Sequence, residues 1–505
     1  MNKKKEIKIN ELETKLWSAA DQLRGNISSE EYMYIIIGIL FIKQMSDIYD
    51  NAKKKLISKG QENGIEDKDY LSEYNCNFIV PEKASWKYIS SFASKNNIGE
   101  ILDNAFYEIE KFNSELKGLF DKNYSREYLD QMKLGKVVSI FENSDLSEYG
   151  EDIIGRTYEY FLGEFFIKQG QKGGEFYTPK SIVSLMVNII NPTDGKLYDP
   201  CCGTGGMFVQ TRQHLIENNI SSDNLLIYGQ EYQNKTWKLS RINLLLQGFQ
   251  NDNVRLGHES ADTFSNDLHK DLKVNYILAN PPFNLKAWGL QGLEDDKRWK
   301  WGNPPANNGN YAWLSLIVDK LDNDGKAAVV LANGSLTSST KDEILIRKNF
   351  LNENLISAII MLPDKLFYTT GIPACIWIFD KNKKNKNVLF IDASELGTLL
   401  EGSKKNKELD NDVILKVTKT YQDFEKNIPI NENGYAKSVS LDEIMEKDFS
   451  LLPGAYIEIK EDEKRSESEI KSELKKNISE LEILFKESKE LESKLKESIK
   501  KMNID

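Results

Sequence analysis

Apolar residues return every three or four positions through LETKLWSAADQL (12–23) and again through YMYIIIGILFIKQMSDIY (32–49), the spacing of helix faces. A polar stretch, SKGQENGIEDKDY (58–70), separates these from further helical segments, and no strand-rich pattern occurs before about residue 150. Residues 1–150 therefore predict an all-helical N-terminal domain. Beyond it, short β-branched or aliphatic runs alternate with amphipathic helices. The candidate strands are KLYD (196–199), NLLIYGQE (224–231), VNYILAN (274–280), KAAVVLAN (326–333), LISAIIMLP (355–363) and ACIWIFD (374–380). Helical patterns such as KTWKLSRINLLLQG and NYAWLSLIVDKL lie between several of them. This alternation predicts an α/β, Rossmann-like domain over 151–455 with a mostly parallel, doubly wound sheet. Its ligand site should lie beyond the carboxyl ends of the strands.

From Glu461 onward the chain is almost entirely Glu, Lys, Ser and Leu. Apolar residues fall at Ile470, Leu474, Ile478, Leu481, Phe485, Leu491, Leu495 and Ile499. Residues 460–505 thus predict an amphipathic helix with an imperfect heptad. A narrow apolar stripe on a charged helix favours contact with another subunit or domain over burial against its own core.

The chain has 505 residues, enough for more than one domain, and a net charge of −11. That charge opposes a protein that coats nucleic acid through bulk electrostatics. Any DNA-directed role requires Lys and Arg to be concentrated on one face, or a basic surface to be supplied by a partner. Cys76, Cys201, Cys202 and Cys375 have neither metal-ligand nor redox spacing, and only His214, His258 and His269 could assist them. A disulfide framework and a metal site are not expected. The basic start MNKKKEIKIN is followed by no apolar signal core, and the run Tyr34 to Ile42 is too short to span a bilayer. The expectation is a cytoplasmic protein with no membrane association.

At Lys196 the chain reads K-L-Y-D-P-C-C-G-T-G-G-M-F. A strand runs into Asp199, and the turn Gly203-Thr204-Gly205-Gly206 opens a helix. Glycines permit positive φ and close approach of a ligand to the backbone, and a helix N-terminus favours a carboxylate or phosphate. Dinucleotide, nucleotide and S-adenosylmethionine sites all use such loops. No G-K-[S/T] follows, which excludes a P-loop, and the later G-T-L-L-E-G-S-K at Gly397 has Ser403 and Lys404 in the wrong order. Glu231 ends the second strand, where an acidic residue can accept both hydroxyls of a ribose. Asp262, in A-D-T-F, is placed to accept from the adenine amino group of such a cofactor.

The strand VNYILAN delivers Asn280, Pro281, Pro282 and Phe283 to the same sheet edge. An exocyclic amine on an aromatic ring is a poor nucleophile, because its lone pair is delocalised into the ring. Two acceptors on its N–H groups, the Asn280 side-chain oxygen and the Pro281 carbonyl, can draw the nitrogen towards sp³ and aim the lone pair at a methyl donor. Pro282 restricts the residue before it, keeping that carbonyl aimed, and Phe283 offers a ring for a base to stack on. No general base is needed, because the methylated ammonium is acidic. A second N-P-P, at Asn303, lacks both the buried strand and the aromatic and reads as a loop.

With these motifs the chain resembles the modification (M) subunits of Type I restriction-modification systems, which are site-specific adenine-N6 DNA methyltransferases. The likeness runs from LWSAADQLRGNISSEEY through GGEFYTPKSIVSLM, DPCCGTGGM, NPPFN, NYAWLSLIVDKL and GKAAVVLANGSL to LPDKLFYTTGIPACIWIFDK. It implies S-adenosylmethionine as methyl donor. It also implies a cofactor pocket that includes Glu175, Phe176, Tyr177, Thr178 and Pro179, with Lys180 beside it. Thr204, Gly205, Gly206 and Glu231 carry over as cofactor contacts, alongside Asp199, Gly203 and Asp262, and Asn280 to Phe283 carry over as catalytic and base-binding residues. Cys201 and Cys202 stand where the family usually has smaller residues, which should alter packing a little and leave the chemistry alone.

The resemblance further implies that two M subunits embrace one specificity (S) subunit, which reads a bipartite site in double-stranded DNA. A restriction (R) subunit with ATPase and nuclease activity can join, and methylation protects host DNA from cleavage. This answers the charge objection and assigns the C-terminal helix to the specificity subunit. The pair Pro363-Asp364 lacks the E-x-K partner of a nuclease. Methylation of an adenine flipped out of the duplex leads two alternatives. One is methylation of a protein glutamine amide, which the same N-P-P geometry can serve. The other is a non-catalytic scaffold, against which the intact motifs weigh.

Overall fold

The computed structural model describes residues 14, 17, 18, 29–74, 76–142, 160–163, 178–222, 224–249, 253–256, 263–367, 371–400 and 406–459, with a set of helical positions between 474 and 492. The apolar run 35–42 forms the buried middle of helix α1 (Ser29–Ser58). The large apolar residues of this run surround the axis, so the middle of the helix is enclosed on every side. Helices α2 (Ile98–Phe112) and α3 (Gln131–Glu142) share its hydrophobic core. Among the described residues before 150 there is no strand. Nor is any helix long and apolar enough to cross a membrane, among the described residues.

The six expected strands all form, and four more join them in one ten-stranded sheet. The strands are β1 (Gly195–Asp199), β2 (Leu225–Glu231), β3 (Val254–Leu256), β4 (Val274–Ala279), β5 (Leu321–Ala332), β6 (Ile356–Met361), β7 (Ala374–Asp380), β8 (Val388–Asp392), β9 (Asn431–Glu432) and β10 (Ala436–Val439). Their order is β9-β10-β8-β6-β7-β5-β4-β1-β2-β3. The block β3-β2-β1-β4-β5 is parallel throughout, and β7 enters antiparallel between β5 and β6. The pattern ACIWIFD predicts a buried strand but not its direction. The connection from Met361 to Ala374 carries no helix among its described residues. A parallel return needs a crossover, usually helical, whereas a direct return is antiparallel and lands beside the strand just left.

Helices cover both faces. α4 (Lys180–Ile190), α5 (Gly206–Glu217) and α9 (Asn411–Glu425) pack on one; α7 (Asn310–Lys320) and α8 (Lys341–Asn352) pack on the other. Helix α6 (Asn234–Leu246) is shared between cores. Its Leu239 and Ile242 belong to the helical core, its Leu244 to the sheet core, and Lys238 pairs with Asp121 at 2.9 Å. Residues Met1–Ile457 make one compact unit and Glu458–Asp505 another. In the second unit, Leu474, Ile478, Leu481, Phe485 and Leu491 lie on helical positions and are 50–65% exposed.

The parallel block is what assembles the site. Asp199 pairs in register with Gly229, and Tyr198 with Ile277, so β1, β2 and β4 end on one edge. Asp199, Glu231 and Asn280 are delivered there from sequence positions far apart.

Candidate functional site

The loop after β1 turns where the glycines allow it. Gly203 has φ +53° and Gly205 φ +81°, and Gly205 is the N-cap of α5. A Cβ on Gly205 would stand 2.9 Å from the Ser240 hydroxyl on α6, so both the backbone angle and the neighbouring helix require glycine. The same helix holds the loop from outside, Asn243 Nδ2 donating to the Thr204 carbonyl at 3.0 Å. Glu231, 7% exposed, closes it from the strand side. Its Oε2 accepts from the Gly203 N–H at 3.0 Å and its Oε1 from the Gln233 N–H at 2.8 Å.

Asp199 is 2% exposed and accepts from the Cys201 N–H at 3.0 Å. Burial lifts its carboxyl to about 7; hydrogen bonds from Cys201 oppose the rise, and the Glu231 charge adds to it. Burial likewise pushes the Cys201 and Cys202 thiols well above their ordinary value, so both are protonated at neutral pH and serve as packing. In the unfolded chain an aspartate ionises near 4. Between about pH 4 and 7 the folded chain therefore holds a proton that the unfolded chain has lost, so stability falls as pH rises through that window and levels off above it. Asp199→Asn keeps the acceptor towards Cys201 and removes this slope. Its thermal midpoint should match wild type near pH 4 and exceed it by a few degrees at pH 8, read by scanning fluorimetry without cofactor. A difference that does not change with pH would mean that Asp199 ionises alike in both states.

At the end of β4, Asn280 Nδ2 donates to the Thr178 hydroxyl at 2.8 Å. Its Oδ1 is buried and has no hydrogen-bond partner among the described residues. This acceptor stands at a strand's carboxyl end beside a glycine loop, where ligands bind in sheets of this kind. Pro281 is buried, and Phe283 is half-buried with its ring edge-on to Phe367 at 5.8 Å. The chain then leaves through Asn284, at φ +53°, which is clamped from α7. The Asn284 N–H donates to Asn310 Oδ1 at 2.9 Å, and Asn310 Nδ2 donates back to Asn284 Oδ1 at 3.0 Å. Asn308 adds a donor to Asn284 Oδ1 at 3.3 Å and caps the Asn310 N–H at 2.9 Å. The second N-P-P is a loop as expected, with the Pro305 carbonyl accepting from the Trp288 indole at 2.8 Å.

Of the residues expected at the site, Asp199, Gly203, Thr204, Gly205, Gly206 and Glu231 are gathered around one loop, and Asn280 to Phe283 leave the neighbouring strand β4. Thr178 meets Asn280, Pro179 is buried as the N-cap of α4, and Lys180 is the exposed first residue of that helix. Glu175, Phe176, Tyr177 and Asp262 lie outside the described residues. The residue after Asp262 is held at the loop, Thr263 Oγ1 donating to the Pro200 carbonyl at 2.6 Å while Arg298 Nη1 holds the Thr263 carbonyl at 3.1 Å. Ser240, Asn243, Arg298, Asn308 and Asn310 were not legible as site residues. Each acts through a contact with a segment distant in sequence, and only N-P-P-F-N followed by N-N-G-N hinted at the asparagine clamp.

Residues 149–465 match the family model described as N-6 DNA Methylase, and residues 12–141 match the HsdM N-terminal domain. The Type I restriction enzyme HindI methylase subunit of Haemophilus influenzae is 35% identical over 445 residues, covering 83% of this chain and 99% of that one. The MjaIX methylase subunit of Methanocaldococcus jannaschii is 32% identical over 517 residues, covering 96% and 90%. Among solved structures, the type I restriction-modification methyltransferase subunit from Streptococcus thermophilus superposes with a TM-score of 0.76 at 25% identity, covering 89% of this chain and 100% of that one.

Proposed function

Because the chain belongs to the methylase subunits of Type I restriction enzymes and is an N6-adenine DNA methyltransferase, we propose that Asn280, Pro281, Pro282 and Phe283 hold a flipped-out adenine against S-adenosylmethionine seated on the loop Asp199–Gly206. The observation that carries this reading is the Asn280 amide, with its nitrogen anchored on Thr178 and its oxygen buried and unpartnered among the described residues. The loop's chemistry suits the donor. Positive-φ glycines open it, the N-terminus of α5 suits a ligand carboxylate, and the Glu231 carboxylate suits a ribose diol. When bound, S-adenosylmethionine supplies an electrophilic methyl group on a sulfonium centre.

The protein's part is acceptance, orientation and exclusion of water. Asn280 Oδ1 accepts one N–H of the adenine amine and the Pro281 carbonyl accepts the other, which returns the nitrogen lone pair to the reacting direction. Phe283 stacks on the extruded base. Glu175 to Lys180 and Asp262 complete the cofactor side in this reading. The test is transfer of labelled methyl from S-adenosylmethionine to duplex DNA by the chain assembled with its specificity subunit, with N6-methyladenine as the product sought; its absence would overturn the reading. Stacking of a base on an aromatic ring is worth about 1–3 kcal/mol, so Phe283→Ala should lower kcat/KM for DNA by about ten-fold, and Phe283→Tyr should restore it. Equal kcat/KM for Phe283→Ala and wild type would remove Phe283 from the base contact.

The rest of the chain fits assembly. We assign 1–150 to a helical domain, 151–455 to the methyltransferase domain and 460–505 to the helix that binds the specificity subunit, two copies of this chain to each. The exposed apolar positions from Leu474 to Leu491 support that helix contact. Double-stranded DNA is the substrate, and a restriction subunit can join the same complex.

A further inference from the structure

We infer that Asn310 is a positioning residue for the target base: it fixes the backbone where the chain leaves Phe283, and so the face that this ring turns to the base. The inference rests on the reading of Phe283 given above and adds to it a residue of α7 that does not itself touch the substrate.

Asn284 follows Phe283 as an exposed residue in the left-handed region, at φ +53°. Residues other than glycine adopt that region at a cost, asparagine at a lower one than most. An exposed side chain has little packing to offset the cost, so hydrogen bonds must hold the conformation. Rotation about the Asn284 N–Cα bond to negative φ would turn the preceding peptide, and Phe283 with it, relative to the chain beyond.

The directions of those hydrogen bonds are fixed by the backbone. The Asn284 N–H can only donate, so the Asn310 atom 2.9 Å from it is the oxygen, Oδ1. Asn310 Nδ2 is then left to donate to Asn284 Oδ1 at 3.0 Å. In the same way the Asn310 N–H takes Asn308 Oδ1 at 2.9 Å, which leaves Asn308 Nδ2 for Asn284 Oδ1 at 3.3 Å. Two backbone donors therefore set all three amides, and residue 284 is held by its backbone and its side chain together. One residue further on, the Gly309 N–H donates to the Leu285 carbonyl at 2.9 Å, so both ends of the intervening loop are tied at one place.

The anchor is stiffer than what it holds. Asn310 is 2% exposed and is the first residue of α7, and Tyr311, Ala312, Trp313 and Leu314 after it are buried in the core on that face of the sheet. Phe283 is only half-buried. Its edge-on contact with Phe367 limits the ring, while the path of the backbone behind it is set from Asn310.

The experiment uses the full chain assembled with its specificity subunit. It measures kcat/KM for duplex DNA, the Kd of S-adenosylmethionine by calorimetry, and the thermal midpoint. Asn310→Ala removes the acceptor of the Asn284 N–H and the donor to its side chain. Its kcat/KM should fall by about three- to ten-fold, bounded by the loss in Phe283→Ala because the effect passes through that ring, with the Kd within about two-fold of wild type. Asn310→Asp keeps an acceptor for the N–H, allows the Asn284 amide to turn its NH2 to the carboxylate, and puts a negative charge in the first turn of α7, where it is favoured; kcat/KM should return to within about two-fold of wild type. In the Phe283→Ala background, Asn310→Ala should change kcat/KM by less than about two-fold, the non-additivity of residues that act as one unit. A residue that only kept the fold would cost the same factor in both backgrounds.

Wild-type kcat/KM in Asn310→Ala would overturn the inference, as would a loss that multiplies with that of Phe283→Ala or one matched by an equal rise in the cofactor Kd. So would an Asn310→Asp protein that has the wild-type midpoint and does not recover. Should Asn310→Ala unfold below the assay temperature, Asn284→Ala tests the same hold from its other side: it leaves α7 intact, disfavours positive φ, and carries the same expectations in both Phe283 backgrounds. Phe283→Ala is the reference. Its own wild-type kcat/KM would defeat the base contact itself, whereas its loss beside a fully active Asn310→Ala defeats only the positioning.

Discussion

Replacing Asn280 with alanine is expected to lower single-turnover methylation by about 10²–10³-fold, the loss seen when one preorganised polar partner of a reacting group is deleted. The physical ground is the electron distribution of the adenine amine. Its lone pair is shared with the ring, and it becomes nucleophilic only as the nitrogen pyramidalises, a change that accepting both N–H groups favours. In the proposed site the side-chain oxygen at 280 is one of the two acceptors, and it is already buried, so no water need be removed from it when the amine arrives. The alanine variant should bind S-adenosylmethionine with a Kd within about two-fold of wild type and unfold at nearly the same temperature, because Asn280 lies beyond the last residue of β4. The natural readout is native genomic DNA, sequenced by a modification-sensitive method in a strain carrying the variant. Loss of N6-methyladenine at a single bipartite motif is the expected result. An unchanged methylome with the variant expressed would point to a protein substrate or a silent scaffold.

The second large effect is expected at Glu231. Both of its oxygens already accept backbone N–H groups, one from Gly203 and one from Gln233. The carboxylate therefore ties the glycine loop to the end of β2, at the place proposed for a ribose diol. Glu231→Ala removes the diol's acceptor and releases the loop together. Two charge-assisted hydrogen bonds at about 1.5–3 kcal/mol each make a rise of at least about 100-fold in the Kd for S-adenosylmethionine the expected outcome by calorimetry. Glu231→Gln should be little better than alanine, since an amide must turn its NH2 against one of two N–H groups that both donate. A Kd within about three-fold of wild type in either variant would take Glu231 out of the cofactor site. The two substitutions also separate the two halves of the reaction: Asn280→Ala is expected to bind the donor and fail to transfer, whereas Glu231→Ala fails at binding.

The division of labour between sequence and structure follows the range over which each interaction acts. Helix α1, the six strands first expected and the turn at Gly203 to Gly206 are written in local periodicity and in residues whose backbone freedom is a property of the residue itself. The tetrapeptide at 280–283 is equally local, because the chemistry of an amine acceptor is carried by Asn and Pro wherever the chain puts them. The resemblance to Type I modification subunits used these same contiguous segments, and it is the source of the proposal that Glu175 to Lys180 belong to the site.

Direction and neighbour were decided by tertiary structure. ACIWIFD has the same pattern whether it runs up or down, and it runs antiparallel after a connection with no helix among its described residues. The strand at 388–392 is short, and β3 is shorter still, so their pairing partners defined them. The asparagine clamp of 284, 308 and 310, the grip of α6 on the loop through Ser240 and Asn243, and the hold of Thr178 on Asn280 all join residues whose spacing carries no period. Sequence could say which side chains have the right chemistry, since that is a property of single residues. Which side chains meet one another depends on what packs behind them, and only the folded chain brings those partners into place.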